Sequence, residues 1–498
     1  GSRRGYKKQG SSNMRFGVRK TATCLLAATT LSLSGAALAT NGYFTHGVGT
    51  QSKGMAGTGV GSNSDMGAIM SASNPALGAF VSDQWEIGLS VFSPRRSYVA
   101  ADDSVFNGGL VPLPDGNFFP SHTITPGEID SSSEYFPIPY VAKNWSLNND
   151  GNITAAFYGR GGMNTDWNDP NASATSYLCG GNPMAGDPPA TGQGPYCAGP
   201  AGVDLMQAFL AVNYSAQVND RFAWGIGPVL AIQRFEAKGV GTFGLITKTC
   251  ADGFDQATQS CGGNPTSLSD NGYDTSIGFG FAGGIWWGMT DRFSLGLAYQ
   301  SKMSMDEFSK YSDLFAGGGS FDIPSSIKAG VSFVATDALR VNFDIEHTAF
   351  GEIDSIANPM QNMVGCPVLP FGGTDLESCL GGANGPGFGW EDMTTYKLGF
   401  EWAASQSNIW RFGYSYGEQP IQSADVLFNI LAPGVMEQHI TLGWTHIRPS
   451  GNAWNFSFMY APENTVRGPS FFDPSPQTIE LKMSQIEFEA SFRFGGGQ

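Results

Sequence analysis

From Ile486 to Phe494 the side chains alternate without a break: Ile486, Phe488, Ala490, Phe492 and Phe494 fall on one face, Glu487, Glu489, Ser491 and Arg493 on the other. A period of two is the signature of a strand. The pattern recurs at Leu339, Val341, Phe343 and Ile345, at Phe293, Leu295, Leu297 and Tyr299, at Trp410, Phe412, Tyr414 and Tyr416, and at Trp454, Phe456, Phe458 and Tyr460. Walking the chain with this template predicts strands near 84–98, 134–147, 152–163, 203–218, 221–236, 273–289, 292–304, 324–335, 339–350, 393–404, 408–417, 434–447, 453–461 and 482–494. Short turns follow the even-numbered strands and long loops the odd-numbered ones. An even strand count with that alternation predicts an all-β fold, a 14-stranded antiparallel transmembrane β-barrel with both ends on the periplasmic side.

Composition enters as a check on that reading. Gly accounts for 68 of 498 residues, aromatics for 12% and charged residues for only 14%. Beyond the first 39 residues no apolar run approaches the ~18 residues of a membrane helix. A soluble β-sandwich also alternates, but it hides its aromatics in a core and has no reason to alternate short turns with very long loops. Residues Met14 to Ala39 give a basic start, an apolar stretch from Ala22 to Leu38 and an Ala37-Leu38-Ala39 ending, the order of a cleaved secretory signal. Gly1 to Asn13 read as an upstream extension. Losing residues 1–39 removes seven of the 27 Lys and Arg and none of the 43 Asp and Glu. So acidic a chain has no footing for nucleic-acid binding by counterion release.

Thr40 to Ser82, ahead of the 83–494 barrel region, shows no sustained alternation and is rich in Gly, Ser and Asn. A solvated tail would share that composition, but it would not need Phe44, Met55, Val60, Met66, Ile69, Met70, Leu77 and Phe80. A plug inside the barrel would use them, with glycines permitting close backbone approach. Six cysteines follow, two in each of three predicted outer loops: Cys179 and Cys197, Cys250 and Cys261, Cys366 and Cys379. Six cysteines allow fifteen connectivities; local pairing within each loop is the economical expectation in an oxidising compartment.

The chain carries no legible catalytic or metal motif, so neither enzyme activity nor a cofactor is expected. The five histidines sit in no nucleophile or zinc pattern. Gly278-Phe-Gly280-Phe-Ala-Gly283 matches the dinucleotide fingerprint in letters but lies in a strand followed by a strand, without the helix that fingerprint needs.

Two stretches carry a family resemblance. Asn41-Gly-Tyr-Phe-Thr-His-Gly-Val-Gly-Thr-Gln-Ser-Lys-Gly-Met-Ala-Gly-Thr-Gly-Val with the later Ser73-Asn74-Pro75-Ala76, and Tyr158-Gly159-Arg160-Gly161-Gly162-Met163-Asn164-Thr165-Asp166, resemble the FadL-type outer-membrane transporters of long-chain fatty acids and aromatic hydrocarbons. The resemblance implies a fourteen-stranded barrel with residues 40–82 as a hatch, marked by Asn74, Pro75 and Ala76. It also implies that the third strand is kinked at Gly159, Arg160, Gly161 and Gly162, opening the wall sideways, and it makes Arg160 a candidate partner for a ligand carboxylate. The paired loop cysteines and the extension Gly495 to Gln498 depart from the fatty-acid members.

The expected function is passive uptake of a hydrophobic small molecule, first a long-chain fatty acid and second a toluene-like hydrocarbon, by a monomer in contact with outer-membrane lipid and lipopolysaccharide. A general porin would suit the acidic balance but not a forty-residue plug. An adhesin or receptor role for the long loops is compatible with either.

Overall fold

The computed structural model describes residues 40–495 apart from 65–66, 113–117, 148–150, 183–184, 256–257, 259, 369–370 and 472–476. The predicted signal 14–39, the leading residues 1–13 and the final 496–498 lie outside the described residues. Fourteen long strands close a ring: β1 (Gln84–Ala100), β2 (Phe136–Ser146), β3 (Gly151–Asn164), β4 (Gly202–Asn219), β5 (Phe222–Lys238), β6 (Asp274–Gly288), β7 (Phe293–Gln300), β8 (Ser326–Thr336), β9 (Leu339–Thr348), β10 (Met393–Ala403), β11 (Asn408–Gly417), β12 (Gln438–Ile447), β13 (Ala453–Pro469) and β14 (Thr478–Gly495). Each pairs antiparallel with its sequence neighbour, and β14 pairs with β1 from Ile479 opposite Ala100 to Gly495 opposite Gln84. The sheet therefore closes on itself, each strand pairing on both sides along at least part of its length.

The barrel is apolar outside and polar within. On β14 Phe488 is 49% exposed whereas Glu489 is 1% exposed, the reverse of a water-soluble sheet. Aromatics mark both ends of the outer face. Trp85, Trp145, Trp224, Trp287, Trp402 and Trp454 stand exposed near the short-turn end, and Tyr299, Tyr396 and Tyr416 toward the long-loop end, matching the girdles of membrane barrels.

Four strand boundaries differ from the sequence reading by more than two residues. The β13–β14 hairpin runs longer than 453–461 and 482–494, because a bulge between Ala461 and Asn464 shifts the side-chain phase and hides the continuing ladder. The seventh strand ends at Gln300, not 304; Ser304–Met305 pairs separately with β6. Residues 434–437 precede β12 and are not strand; Val435 and Met436 are buried with the short helical turn Val426–Asn429.

Candidate functional site

Residues 41–62 are buried throughout because they pack against inward-facing side chains from strands all around the ring. Lys53 lies between Glu487 (2.5 Å) and Glu489 (2.6 Å) of β14. Glu489 also accepts from Thr50 Oγ1 (2.8 Å), and Glu487 from Ser90 of β1. Opposite, Asp344 of β9 accepts from the Gly59 and Val60 N–H groups (2.8 and 3.0 Å), and Trp286 Nε1 of β6 donates to the Gly61 carbonyl (3.0 Å). Glycine is needed where backbones meet: a Cβ on Gly54 would stand 2.8 Å from Gly443 Cα, and one on Gly61 2.5 Å from the Gly330 carbonyl oxygen.

Asn74, Pro75 and Ala76 form a clamp. Asn74 caps the 3-10 turn Pro75–Phe80 by accepting from Ala76 N–H (3.0 Å), and its amide donates to the Val60 and Ile285 carbonyls (2.9 and 3.1 Å). A single side chain thus ties two parts of the N-terminal segment to β6.

The barrel wall is incomplete between β2 and β3. Their ladder runs from Ser146 opposite Asn152 only to Tyr140 opposite Tyr158, while β2 continues pairing with β1 to Phe136. The reason is legible atom by atom. Leu147 N–H donates to the Gly151 carbonyl (2.8 Å), so the odd-numbered residues of β2 aim their N–H groups at β3, since antiparallel ladders alternate. At 137 and 139 those residues are proline and have no N–H to give. On the β1 side the same positions need no donor, so the prolines leave that ladder intact. Across the gap β3 bulges at Arg160, its register with β4 slipping between Gly159 and Gly161. A hairpin from the N-terminal segment, Thr40–Asn41 with Phe44–Thr45, covers the gap: Phe44 bridges Gly161, and the Tyr43 carbonyl accepts from Gly162 N–H (2.9 Å).

Arg160 points inward. Its guanidinium lies over the Phe44 ring (4.6 Å), donates to the Thr45 carbonyl (3.2 Å) and is paired with Glu346 (2.9 Å). Glu346 also takes Lys397 (2.6 Å) and Lys328 (3.4 Å). Sequence reasoning singled out Arg160 but not its partner 186 residues away, and it passed over Pro137 and Pro139, although two prolines in a predicted strand are themselves a signal.

Above the N-terminal segment the outer loops enclose an apolar chamber of about 40 Å³. Its walls include Phe235, Val240, Phe243, Leu314, Phe315, Phe388, Phe428 and Leu431, with Ser355 among them and no charged side chain. The Ser355 hydroxyl is spent on the Ser320 carbonyl (2.5 Å). The loops carry three disulfides, Cys179–Cys197, Cys250–Cys261 and Cys366–Cys379. His122 lies near the first pair, but thiolates are what a metal would require and both sulfurs are in the disulfide. The imidazole is held below its usual range by burial, against the opposing effect of the hydrogen bond that its Nε2–H donates to the Pro195 carbonyl (2.8 Å).

A closed fourteen-stranded ring with an apolar outer face defines a β-barrel of the bacterial outer membrane. The chain belongs to the outer membrane protein transport protein family (OMPP1/FadL/TodX), whose model matches residues 184–446. The toluene transporter TodX of Pseudomonas putida shares the fold with a TM-score of 0.58 at 16% identity, covering 90% of this chain and 98% of that one. A Pseudomonas aeruginosa FadL homologue gives 0.58 at 14% identity, covering 91% and 99%. The Ralstonia pickettii toluene transporter TbuX gives 0.53 at 14%, covering 90% and 98%. No curated protein matches the chain.

Proposed function

We propose that this chain admits a hydrophobic small molecule through three linked stations. The outer loops take the compound from the cell surface into the charge-free chamber, residues 40–82 act as a plug that denies it a straight path, and it leaves sideways between β2 and β3 into the membrane. The observation that carries this reading is the pair of prolines. Two missing N–H groups on one edge of one strand, facing three glycines and a bulge, are a wall built to part. A membrane barrel otherwise satisfies its backbone groups between strands, because lipid offers no substitute.

The chamber gives the compound an apolar body, as in the long-chain fatty acids and toluene-like hydrocarbons of the family. At about 40 Å³ it is smaller than such a molecule, so entry parts the loops. A general porin is the opposing reading, and the buried ionic contacts around Lys53 weigh against it by holding the lumen shut.

The test is Pro137→Val combined with Pro139→Val, which restores two N–H donors toward β3. At about 1 kcal/mol for each new hydrogen bond, the double variant should assemble normally and take up radiolabelled toluene and oleate roughly thirtyfold more slowly. Undiminished uptake would remove the lateral exit. A large, steady conductance from the unmodified protein in planar bilayers would replace this reading with the porin.

A further inference from the structure

The outer face of the wall changes character where β3, β4 and β5 reach the long-loop rim. Val212 and Tyr214 of β4 are each 40% exposed. Asp204, on the same face of that strand, stands directly opposite Asn164 of β3 on one side and Glu236 of β5 on the other. Directly opposed side chains on one face reach each other, and like charges so placed repel. Asp204 and Glu236 therefore need positive charge between them. Arg234 supplies little of it: its guanidinium lies 3.9 Å over the Tyr273 ring and comes only within 3.8 Å of Asp204 Oδ2, an oxygen that already accepts from the Tyr273 hydroxyl (2.7 Å). Lys238 lies 3.4 Å from Glu236 but is 53% exposed, and so exposed a pair contributes little.

Two oxygens are left over. Asp204 Oδ1 and Asn164 Oδ1 are both buried and accept no hydrogen bond, and Asn164 as a whole is only 7% exposed. The two residues line a cavity of about 130 Å³ together with Ser133, Asp166 and Glu236. Asp166 brings a third carboxylate, one oxygen of which accepts from Ser132 and Asn168 (2.7 and 3.1 Å). Against these three carboxylates the lining holds a single cation, Lys238. A buried acceptor without a donor is costly, and two of them in one acidic cavity call for a positively charged ligand.

We infer that this cavity is a divalent-cation site, with Asp204 and Asn164 as its inner ligands, Glu236 and Asp166 around them, and calcium as the fitting ion. Calcium takes about six to eight oxygens from carboxylates, amide carbonyls and waters. The three carboxylates do not converge on one point, since no set of one oxygen from each lies within 4.8 Å of one another. The ion therefore keeps part of its water, for which the cavity has room. Its structural effect follows from where the ligands sit. Past Tyr158, β3 has lost β2 as a neighbour and its register with β4 has slipped. An ion shared by Asn164, Asp204 and Glu236 ties that end of β3 to both β4 and β5. The site stands whatever the barrel carries.

The probes are calcium chloride and terbium chloride, added to the purified full chain in detergent after chelation. Tyr273 donates to a ligand of the site, which places it to sensitise terbium. The expected signal is tyrosine-excited terbium emission that saturates and is displaced by calcium, with a calcium Kd of about 10⁻⁴–10⁻³ M, the range of extracellular calcium modules. Calcium well above that Kd should raise the melting temperature of the parent, because it binds the folded chain. Asp204→Asn and Asn164→Leu should each weaken calcium on the order of tenfold or more and remove the calcium-dependent part of the melting shift. Asn164→Asp keeps a carbonyl oxygen and adds a charge, so it should bind calcium more tightly, a gain that no misfolded variant would show. Glu377→Gln, outside this cavity, should leave the affinity unchanged. Terbium emission that calcium does not displace would be an adventitious ion only and would overturn the site. Calcium binding that none of the Asp204 and Asn164 variants changes would overturn it by placing the ion elsewhere. Melting and emission both indifferent to calcium would leave the two oxygens to an ordered water, and the site would fall.

Discussion

The β14–β1 seam and the β2–β3 edge are built from the same kind of strand and behave in opposite ways. At the seam the ladder is continuous along both strands, and its inner face carries Glu487 and Glu489, which grip Lys53. At the edge the ladder stops at Tyr140 opposite Tyr158, and the inner face is covered by a hairpin that contributes one backbone hydrogen bond to Gly162. Backbone pairing is continuous along the seam and interrupted at the edge, while buried charge is present at both, Lys53 with Glu487 and Glu489 at the seam and Arg160 with Glu346 beside the edge. The N-terminal segment is thus tied to the continuous wall through Lys53 and to the interrupted one through its hairpin and Arg160.

The largest effect should come from breaking the grip at the seam. Lys53→Met leaves two buried carboxylates side by side without their cation, and removing one partner of a buried ion pair costs ~3–5 kcal/mol. The segment should loosen, and planar-bilayer recordings should show conductance that the parent lacks. Closed recordings at unchanged stability would mean the seal depends on contacts elsewhere. A smaller effect is expected on the outer face of the same strand. Phe488→Lys puts a cation into lipid and should cost ~2–4 kcal/mol, whereas Ser484→Lys, four residues nearer the long-loop rim and two from Lys482, should cost ~0–1 kcal/mol. Urea midpoints of barrels refolded into vesicles measure both. Equal costs would refute the depth gradient that separates lipid band from rim.

The contrast between seam and edge also marks where the sequence stops being readable. Each strand announces itself because alternation is local, so Ile486 to Phe494 could be placed without knowing what it pairs with. The gap depends on phase between strands. Whether Pro137 and Pro139 face β1 or β3 is decided by the Leu147 to Gly151 hydrogen bond at the far end of the hairpin, and no property of the two prolines reveals it. Arg160 was visible through its glycine neighbours, but its neutralisation by Glu346 joins residues that are distant in the chain. The N-terminal segment lay between these cases. Its glycines and spaced apolar residues show that it packs, while the partners it packs against, such as Gly443 and Asp344, come from every part of the ring.

The smallest effect should come from the loops, where covalent and backbone ties overlap. Cys366→Ser with Cys379→Ser opens a crosslink in the β9–β10 loop, and releasing a loop of this size returns about 3 kcal/mol of chain entropy to it in the polymer model. Most of that freedom is still denied, because this loop also exchanges backbone bonds with the β5–β6 loop: Leu380 N–H donates to the Ile246 carbonyl (2.9 Å) and Lys248 N–H to the Leu380 carbonyl (2.8 Å). Leu380 and Phe388 line the apolar chamber, so the expected outcome is a normal barrel whose apparent KM for uptake rises by a factor of about two to five, well under the ceiling that the entropy alone would set. The matching removal of Cys179 and Cys197 serves as the comparison, since among the described residues none of the β3–β4 loop lines that chamber. It should leave the KM unchanged. If the β3–β4 pair instead weakens uptake more than the β9–β10 pair, the compound is captured elsewhere on the loops, and the chamber between Phe243 and Phe388 is loop packing and not the first station of the route.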